Sequence, residues 1–297
     1  MTSTIEWELY RSFLGVLRAG SLSGAARLLG VAQPTVGRHI AGLEAALGLV
    51  LFTRSQNGLL ATEAALALRP YAEAMQSTAA ALERVATGFG DGVRGVVRVT
   101  ASEVIGVEVL PPILRDLHER YPDLRVELVL SNAMQDLLQR EADIAVRMDA
   151  PRQEQLVARR VGAIELGLHA ARGYLERHGM PASVEALGKH ALIGYDSITP
   201  FVRRSLERLP PFGREDFAFR TDGDLAQLAL IRAGAGIGFC QAPLAKREPL
   251  LERVLAQDFA LRLDTWVAMH EDLRGSPRCR VTFDALAEGL LAYTGGV

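Results

Sequence analysis

SLSGAARLLGVAQPTVGRHIAGLEAALGLVLFTR, Ser21 to Arg54, decides the fold of the N-terminal part of this chain. Ala25, Ala26, Leu28 and Leu29 mark a short helix, and Gly30 breaks it. A second helix begins near Pro34, which is tolerated in a first turn because that turn needs no backbone donor. Its apolar residues Val36, Ile40, Leu43 and Leu47 are spaced by four, three and four, so they form one buried face. Gln33, Thr35, Arg38 and His39 then face away from the core. Glutamine, threonine and arginine on the free side of such a helix have the donors and acceptors needed to read base edges.

Ala25-Ala26, Gln33-Pro34, Leu43-Glu44, Gly48, Leu51-Phe52 and Arg54 resemble the winged helix-turn-helix of LysR-type transcriptional regulators. The resemblance implies that Gln33 to Ala46 is the recognition helix and that Leu49 to Thr62 is the wing. It implies DNA-binding roles for Gln33, Pro34, Thr35, Gly37, Arg38, His39 and Arg54. Gln33, Thr35 and Arg38 would read bases, Pro34 would shape the entry, and His39 and Arg54 would contact phosphates. The chain departs from the family pattern at Gly37, where serine is usual, and at Ala32, where serine or threonine is usual. Gly37 costs the helix about 1 kcal/mol relative to alanine. After Arg54 the wing reads Ser55-Gln56-Asn57-Gly58 rather than further arginines. Asn57-Gly58 is a good tight-turn pair, so the wing should form with a weaker grip on phosphate.

The chain has 297 residues, 49% of them hydrophobic, and a net charge of −2. That length suits about two domains of ~100–200 residues, and the charge gives no global signal for nucleic acid. Residues 1–65 hold five arginines (11, 18, 27, 38, 54) against four glutamates (6, 8, 44, 63), a balance of about +1. The DNA assignment therefore rests on the motif. Cys240 and Cys279 are too few for a disulfide framework. Neither a leader-like start nor a membrane-length apolar run is read, so a cytoplasmic protein is expected.

Ile5 to Leu17 reads as a first helix, with Trp7, Phe13, Leu14 and Leu17 toward the core. Thr62 could cap a helix from Glu63 to about Phe89. Along it Leu68, Tyr71, Met75, Thr78, Leu82, Val85 and Phe89 alternate spacings of three and four. That is a heptad seam, although a helix lying on a globular core needs similar spacing. The family has a dimerising linker helix here. Pro70 is expected to kink it, and Gly88 to Gly95 to form a hinge.

Beyond the hinge, strands and helices alternate. Val96–Thr100, Arg125–Leu130, Asp143–Arg147, Leu166–Ala170, Phe217–Thr221, Ile237–Cys240 and Trp266–His270 read as strands. Val104–Arg120, Met134–Glu141, Arg172–His178, Ser183–Leu187, Asp224–Ala233 and Val281–Tyr293 read as helices, with Pro111 and Pro112 breaking or restarting the first. This is α/β, and right-handed crossovers predict a mostly parallel sheet. The resemblance implies a two-lobed effector domain like the periplasmic binding proteins. The expected organisation is a winged helix-turn-helix at 1–62, a linker helix and hinge at 63–92, and an effector-binding domain at 93–297. Lobe one would be 93–161 plus 265–297, and lobe two 162–264.

Ligands of open α/β sheets bind at strand carboxyl ends. Thr100-Ala101-Ser102-Glu103 lies between a strand and a helix start, where hydroxyls and free backbone donors suit a carboxylate. Ser102 could equally be a helix cap, and Glu103 disfavours a strongly anionic ligand. Asn132, Arg147 and Thr221 sit at other strand ends. Arg147 could clamp a carboxylate or pair with Asp149. Phe201 could wall the pocket or belong to the core. Thr100, Ala101, Ser102, Asn132, Arg147, Phe201 and Thr221 are thus the candidate effector contacts.

Gly234, Gly236 and Gly238 lack nucleotide-binding spacing, the histidines lack metal-ligand spacing, and Cys240 reads as a buried small hydrophobe. No metal or cofactor is expected. The resulting expectation is a DNA-binding transcriptional regulator modulated by a small-molecule effector, acting without catalysis. Its partners would be double-stranded DNA, the effector and further copies of itself, as a homodimer through the linker helix and a tetramer of two dimers. The competing readings are a small-molecule binding protein and an α/β enzyme without a DNA role.

Overall fold

The computed structural model describes residues 5–55, 58–87, 92–132, 141–151, 153, 155–197 and 213–295. The chain forms two compact units, the first ending at Val85 and the second beginning at Ala86.

The first unit contains α1 (Trp7–Ala19), α2 (Leu22–Leu29), α3 (Gln33–Leu47), a hairpin of β1 (Phe52–Ser55) and β2 (Gly58–Ala61), and α4 (Glu63–Thr87). Ser21 opens α2 by accepting a hydrogen bond from the Gly24 amide at 3.1 Å. Gly30, with φ 68°, ends it in the left-handed conformation that glycine adopts without steric cost. The core gathers Phe13, Leu14 and Val16 of α1, Ala25 and Ala26 of α2, Val36, Ile40 and Leu43 of α3, and Leu51, Ala65 and Ala72. Leu17 and Leu47 pack only at its edge, and Leu28 of α2 is exposed.

Gly58 fixes the hairpin. Its φ is 129°, and a Cβ there would lie 2.5 Å from the Gly20 carbonyl oxygen. That same oxygen accepts from the Leu59 amide at 2.8 Å, so the hairpin is tied to the α1–α2 corner. Asn57, the first residue of the expected turn pair, lies outside the described residues; Ser55 pairs with Gly58 across a two-residue connection. Thr62 caps α4 through Oγ1, which accepts from the Ala65 amide at 3.2 Å and donates toward the carbonyls of Val50 and Leu51.

The second unit is a curled α/β sheet with helices. Its strands are β3 (Gly95–Ala101), β4 (Leu124–Leu130), β5 (Ile144–Arg147), β6 (Leu156–Ala171), β7 (Leu192–Gly194), β8 (Phe217–Arg220), β9 (Gly238–Gln241), β10 (Leu251–Arg253) and β11 (Leu261–His270). The main sheet has the order β10-β6-β11-β5-β3-β4, with β9 also on β6; β7 and β8 form a separate pair. Pairs β3–β4, β3–β5 and β7–β8 are parallel, whereas β5–β11, β11–β6, β6–β9 and β6–β10 are antiparallel.

The mostly parallel sheet expected from the alternation of strands and helices is therefore corrected. β6 and β11 are long strands that reach into both lobes and run against their neighbours. They pair in a shifted register, Asp264 opposite Ala163 but Trp266 opposite Arg160, so β6 carries one extra residue. Gly162, at φ 99°, occupies that bulge.

Pro111 and Pro112 restart the helix after β3, as expected. A π-helical turn, Ile105–Val109, precedes α5 (Leu110–Arg120), whose first turn tolerates both prolines. α6 spans Arg172–His178, and later helices span Asp224–Arg232 and Pro277–Thr294. The expected helix at Met134–Glu141, the Phe89 end of the seam and the Gly88–Asp91 part of the hinge lie outside the described residues. One hydrophobic cluster runs through both lobes, joining Val97, Val99, Ile144 and Val146 to Ile193, Leu228, Ile231 and Cys240. A second, with Leu168, Tyr174, Leu187, Ile237 and Phe259, belongs to lobe two.

Candidate DNA interface and effector cleft

α3 buries Val36, Ile40 and Leu43 and leaves Gln33, Pro34 and Arg38 exposed. Thr35 and Gly37 are half-buried; a Cβ on Gly37 would meet only Leu22 Cδ1, at 3.7 Å. His39 departs from the expected outward placement. It is half-buried, and its Nδ1 is engaged by the buried Ser12 hydroxyl at 2.7 Å, which leaves Nε2 without a partner among the described residues. Glu44, on the same helix, accepts from the Leu51 and Phe52 amides at 2.7 and 3.2 Å. Through it the helix and the hairpin hold one geometry. Arg54 of β1 is exposed, and among the described residues neither Arg38 nor Arg54 has an ion-pair partner.

On α4, Leu68 packs into the first unit's core, while Tyr71, Met75, Thr78, Leu82 and Val85 are exposed. Tyr71 and Leu82 show 73% and 70% of their surface. The heptad seam thus begins in the core and continues as an apolar stripe open to solvent.

In the second unit the carboxyl ends of β3 and β5 meet. Thr100 is fully buried, and its Oγ1 accepts from Arg147 at 2.8 Å. Arg147 also donates to the Val146 carbonyl, at 2.9 Å, and burial lowers its pKa from the usual guanidinium value. Ala101 is buried, with its carbonyl accepting from the Ser131 amide at 2.9 Å. Ser102 does not cap the following helix with its side chain. Its hydroxyl points at Met148 Sδ, 3.9 Å away, and its carbonyl accepts from Gly106.

Asn132 is committed at both ends of its amide. Oδ1 accepts from the Glu103 amide at 3.1 Å, and Nδ2 donates to Asp224 at 3.1 Å. Asp224 in turn accepts from the Tyr195 hydroxyl at 2.8 Å. This chain of bonds straps the Ser102–Glu103 turn of lobe one to the start of the helix Asp224–Arg232 in lobe two. Burial pushes the Asp224 carboxyl up, with repulsion from Glu103 adding to it against the hydrogen bonds from Tyr195 and Asn132. Tyr195 is raised as well, by burial first and then by the charge of Asp224. Thr221 follows β8 directly, and its Oγ1 accepts from the Gly223 amide at 3.2 Å within its own turn. Phe201 lies outside the described residues.

A second bridge lies farther along the same helices. Arg232 donates to both oxygens of Glu108, at 2.8 and 2.9 Å, and also to Glu248. These bonds raise the Arg232 pKa and hold the Glu108 carboxyl below its usual value. Sequence reasoning missed Asp224 and Arg232 as residues that join the lobes. Asp224 and Arg232 look like ordinary helix-end charges, and only the fold brings them against lobe one. Among the described residues there is no group of three or more His, Cys, Asp or Glu that could hold a metal, and no helix long and apolar enough to cross a membrane.

A winged helix-turn-helix followed by a two-lobed α/β domain defines a class, the one-chain bacterial regulators with a separate ligand-binding module. The model for the LysR substrate binding domain matches residues 90–291, and that for the bacterial regulatory helix-turn-helix protein, lysR family, matches residues 7–66. The chain belongs to the LysR family. It is 34% identical over 181 residues to an HTH-type transcriptional regulator of Xanthomonas campestris pv. campestris, covering 60% of this chain and 52% of that protein. It is 27% identical over 234 residues to the HTH-type transcriptional activator AaeR of Escherichia coli, covering 76% and 74%. The structure of CrgA from Neisseria meningitidis, a LysR-type transcriptional regulator, aligns over 97% of this chain and 99% of that chain, with 26% identity and a TM-score of 0.59. CbnR, another LysR family transcriptional regulator, aligns over 97% and 99% with a TM-score of 0.67; at 22% identity that likeness concerns the fold alone. The aligned region spans about half of the Xanthomonas relative and 61% of the curated CrgA sequence.

Proposed function

We propose that this protein is a sequence-specific DNA-binding transcriptional regulator whose activity is set by a small-molecule effector held between the two lobes. Membership of the LysR family supports this reading, and one observation carries it. The recognition helix has one face fully buried and presents Gln33 and Arg38, with Arg54 on the hairpin, as exposed side chains without ion-pair partners among the described residues.

Gln33, Thr35 and Arg38 read bases, Pro34 and Gly37 let the helix enter the groove, and Arg54 contacts phosphate. His39 acts on phosphate only through Nε2. Two subunits pair along Tyr71, Met75, Leu82 and Val85, which places two recognition helices in successive major grooves about 34–36 Å apart, and two such dimers form a tetramer. The units of function are residues 1–62, 63–92 and 93–297, with lobe crossings at 161/162 and 264/265 supported by the β6 bulge there. Effector contacts come from Thr100, Ala101, Ser102, Arg147, Thr221 and Phe201. Asn132 serves through its bond to Asp224. The protein works in the cytoplasm by coupled binding, and linkage requires DNA to alter effector affinity in return.

The test is capture of genomic fragments by the purified protein across a salt series. A short dyad-symmetric site, bound with affinity that falls steeply with salt, supports the reading. No enrichment at any salt, with and without a panel of small acids, sinks it. On that site Arg38→Ala should cost about 1–3 kcal/mol if it pairs with guanine; unchanged sequence preference removes Arg38 from the base-reading set.

A further inference from the structure

Ser12 lies in the middle of α1 and is 2% exposed. Hydroxyls inside helices often turn back to the carbonyl four residues earlier, and Thr78 and Thr282 do so, at 2.9 and 2.8 Å. Ser12 does not. Among the described residues its Oγ has one hydrogen-bond partner, the Nδ1 of His39 at 2.7 Å. That fixes the direction of the bond. A neutral imidazole accepts at one nitrogen and donates at the other. Were Nδ1 the donor, the Ser12 proton would be buried without an acceptor, which costs free energy. Ser12 therefore donates to Nδ1, and the ring proton resides on Nε2. Nε2 has no partner among the described residues and, unlike the Nε1 of Trp266, is not closed off from solvent.

The place of the ring on α3 decides what such a donor meets. His39 and Gly42 share the flank turned to α1, where a Cβ on Gly42 would lie 3.6 Å from Leu9 Cδ2. Arg38, one position earlier, belongs to the exposed face with Gln33 and Pro34. A helix laid in a major groove about 12 Å wide points its exposed face at the base edges and brings its flanks to the phosphate walls. We infer that Ser12 is a positioning residue for DNA binding: it holds the His39 ring in one orientation and one tautomer, so that the neutral Nε2–H donates to a backbone phosphate. The inference rests on the reading that α3 binds DNA. It goes beyond it by adding a residue of α1 that acts only through His39, and by making the His39 contact an uncharged one.

The test uses the full chain, the site obtained by genomic capture, and fluorescence anisotropy at pH 8. His39→Ala should weaken binding about tenfold, the loss of a hydrogen bond to a charged group. The factor should be the same on the captured site and on unrelated duplex, because a phosphate carries no sequence. The slope of affinity against salt should not change, because a neutral donor releases no counterion. His39→Gln, whose amide nitrogen falls near Nε2, should stay within about twofold of the native chain, whereas His39→Asn, whose nitrogen falls near Nδ1, should bind like His39→Ala. Ser12→Ala should weaken binding about threefold in the native background and not at all in His39→Ala, the coupling that a double-mutant cycle isolates. A merely structural role in α1 would cost the same in both. The inference is overturned by an equal cost in both backgrounds, by a salt slope that drops by about one in His39→Ala, or by His39→Gln binding as weakly as His39→Asn. If Ser12→Ala does not fold, the glutamine and asparagine variants and the salt slope decide. Failure to capture any site overturns the inference together with the regulator reading; a captured site without coupling removes Ser12 and leaves the regulator.

Discussion

Cys240 is 4% exposed at the end of β9, and burial pushes its thiol up to about 12. A thiol so placed is neither nucleophilic nor open to oxidants at neutral pH. Cys279 is fully buried in the C-terminal helix. Native protein should therefore show almost no reaction with an aromatic disulfide reagent over minutes, and two thiols should titrate after unfolding in guanidinium; rapid reaction of one native thiol would reopen a redox role. Gly37 yields a second prediction. An added Cβ would make ordinary contact with Leu22, and alanine is the better helix former. Gly37→Ala should thus stabilise the first unit by about 0.5–1 kcal/mol, read as a rise in its thermal midpoint. A fall would mean that the α2–α3 contact is tighter than 3.7 Å implies. At this scale local chemistry was legible: the Thr62 cap and the buried Cys240 follow from their immediate neighbours. His39 was not, because the Ser12 hydroxyl that takes its Nδ1 lies 27 residues away.

Helices with strong periodicity were legible as elements. α3 falls where its apolar spacing and flanking residues put it, α6 spans the range expected, and the π-helical turn before α5 answers to two consecutive prolines. β6 was not. Arg159, Arg160 and Gly162 interrupt the alternation in its first half, and only pairing with β11 on one side and β9 or β10 on the other makes one strand of 16 residues. β7 and β10, of three residues each, carry no pattern of their own. The element with the clearest untested consequence is α4. Tyr71, Met75, Thr78, Leu82 and Val85 recur at heptad spacing on its solvent side, so a charge in the middle of the stripe should split the dimer without unfolding the subunit. Leu82→Glu is expected to halve the mass seen by sedimentation or light scattering at micromolar protein, with helix content unchanged. A variant of native mass would place the subunit interface elsewhere.

Over the whole molecule the two lobes are held by charges that no sequence pattern announces. The two-lobed arrangement itself was legible only by resemblance; alternating strands and helices alone pointed to a parallel sheet that the long crossing strands overturn. Two carboxylates at the junction shift in opposite directions, and they predict opposite pH behaviour. Arg232 holds Glu108 below its ordinary value of 4.5, first by hydrogen bonding. The folded state then binds fewer protons than the unfolded one, so this contribution is present above about 4.5 and is lost as pH falls through the lower folded value. Asp224 is raised above its ordinary 3.8, chiefly by burial. Here the folded state binds more protons, so stability falls as pH rises from 3.8 through the folded value. Asp224→Asn removes the buried charge. Its amide can still accept from Asn132 and donate to the Tyr195 oxygen, so the strap survives. The gain in thermal midpoint of Asp224→Asn over the native chain should therefore grow between pH 4 and pH 7. Glu108→Gln should be less stable than the native chain at pH 7, by a margin that shrinks below pH 4.5. Thermal unfolding of the three proteins across this range checks both signs at once. A gain for Asp224→Asn that stays flat or shrinks toward pH 7 would mean that Asp224 is solvated as an anion and that the lobes are not strapped through it.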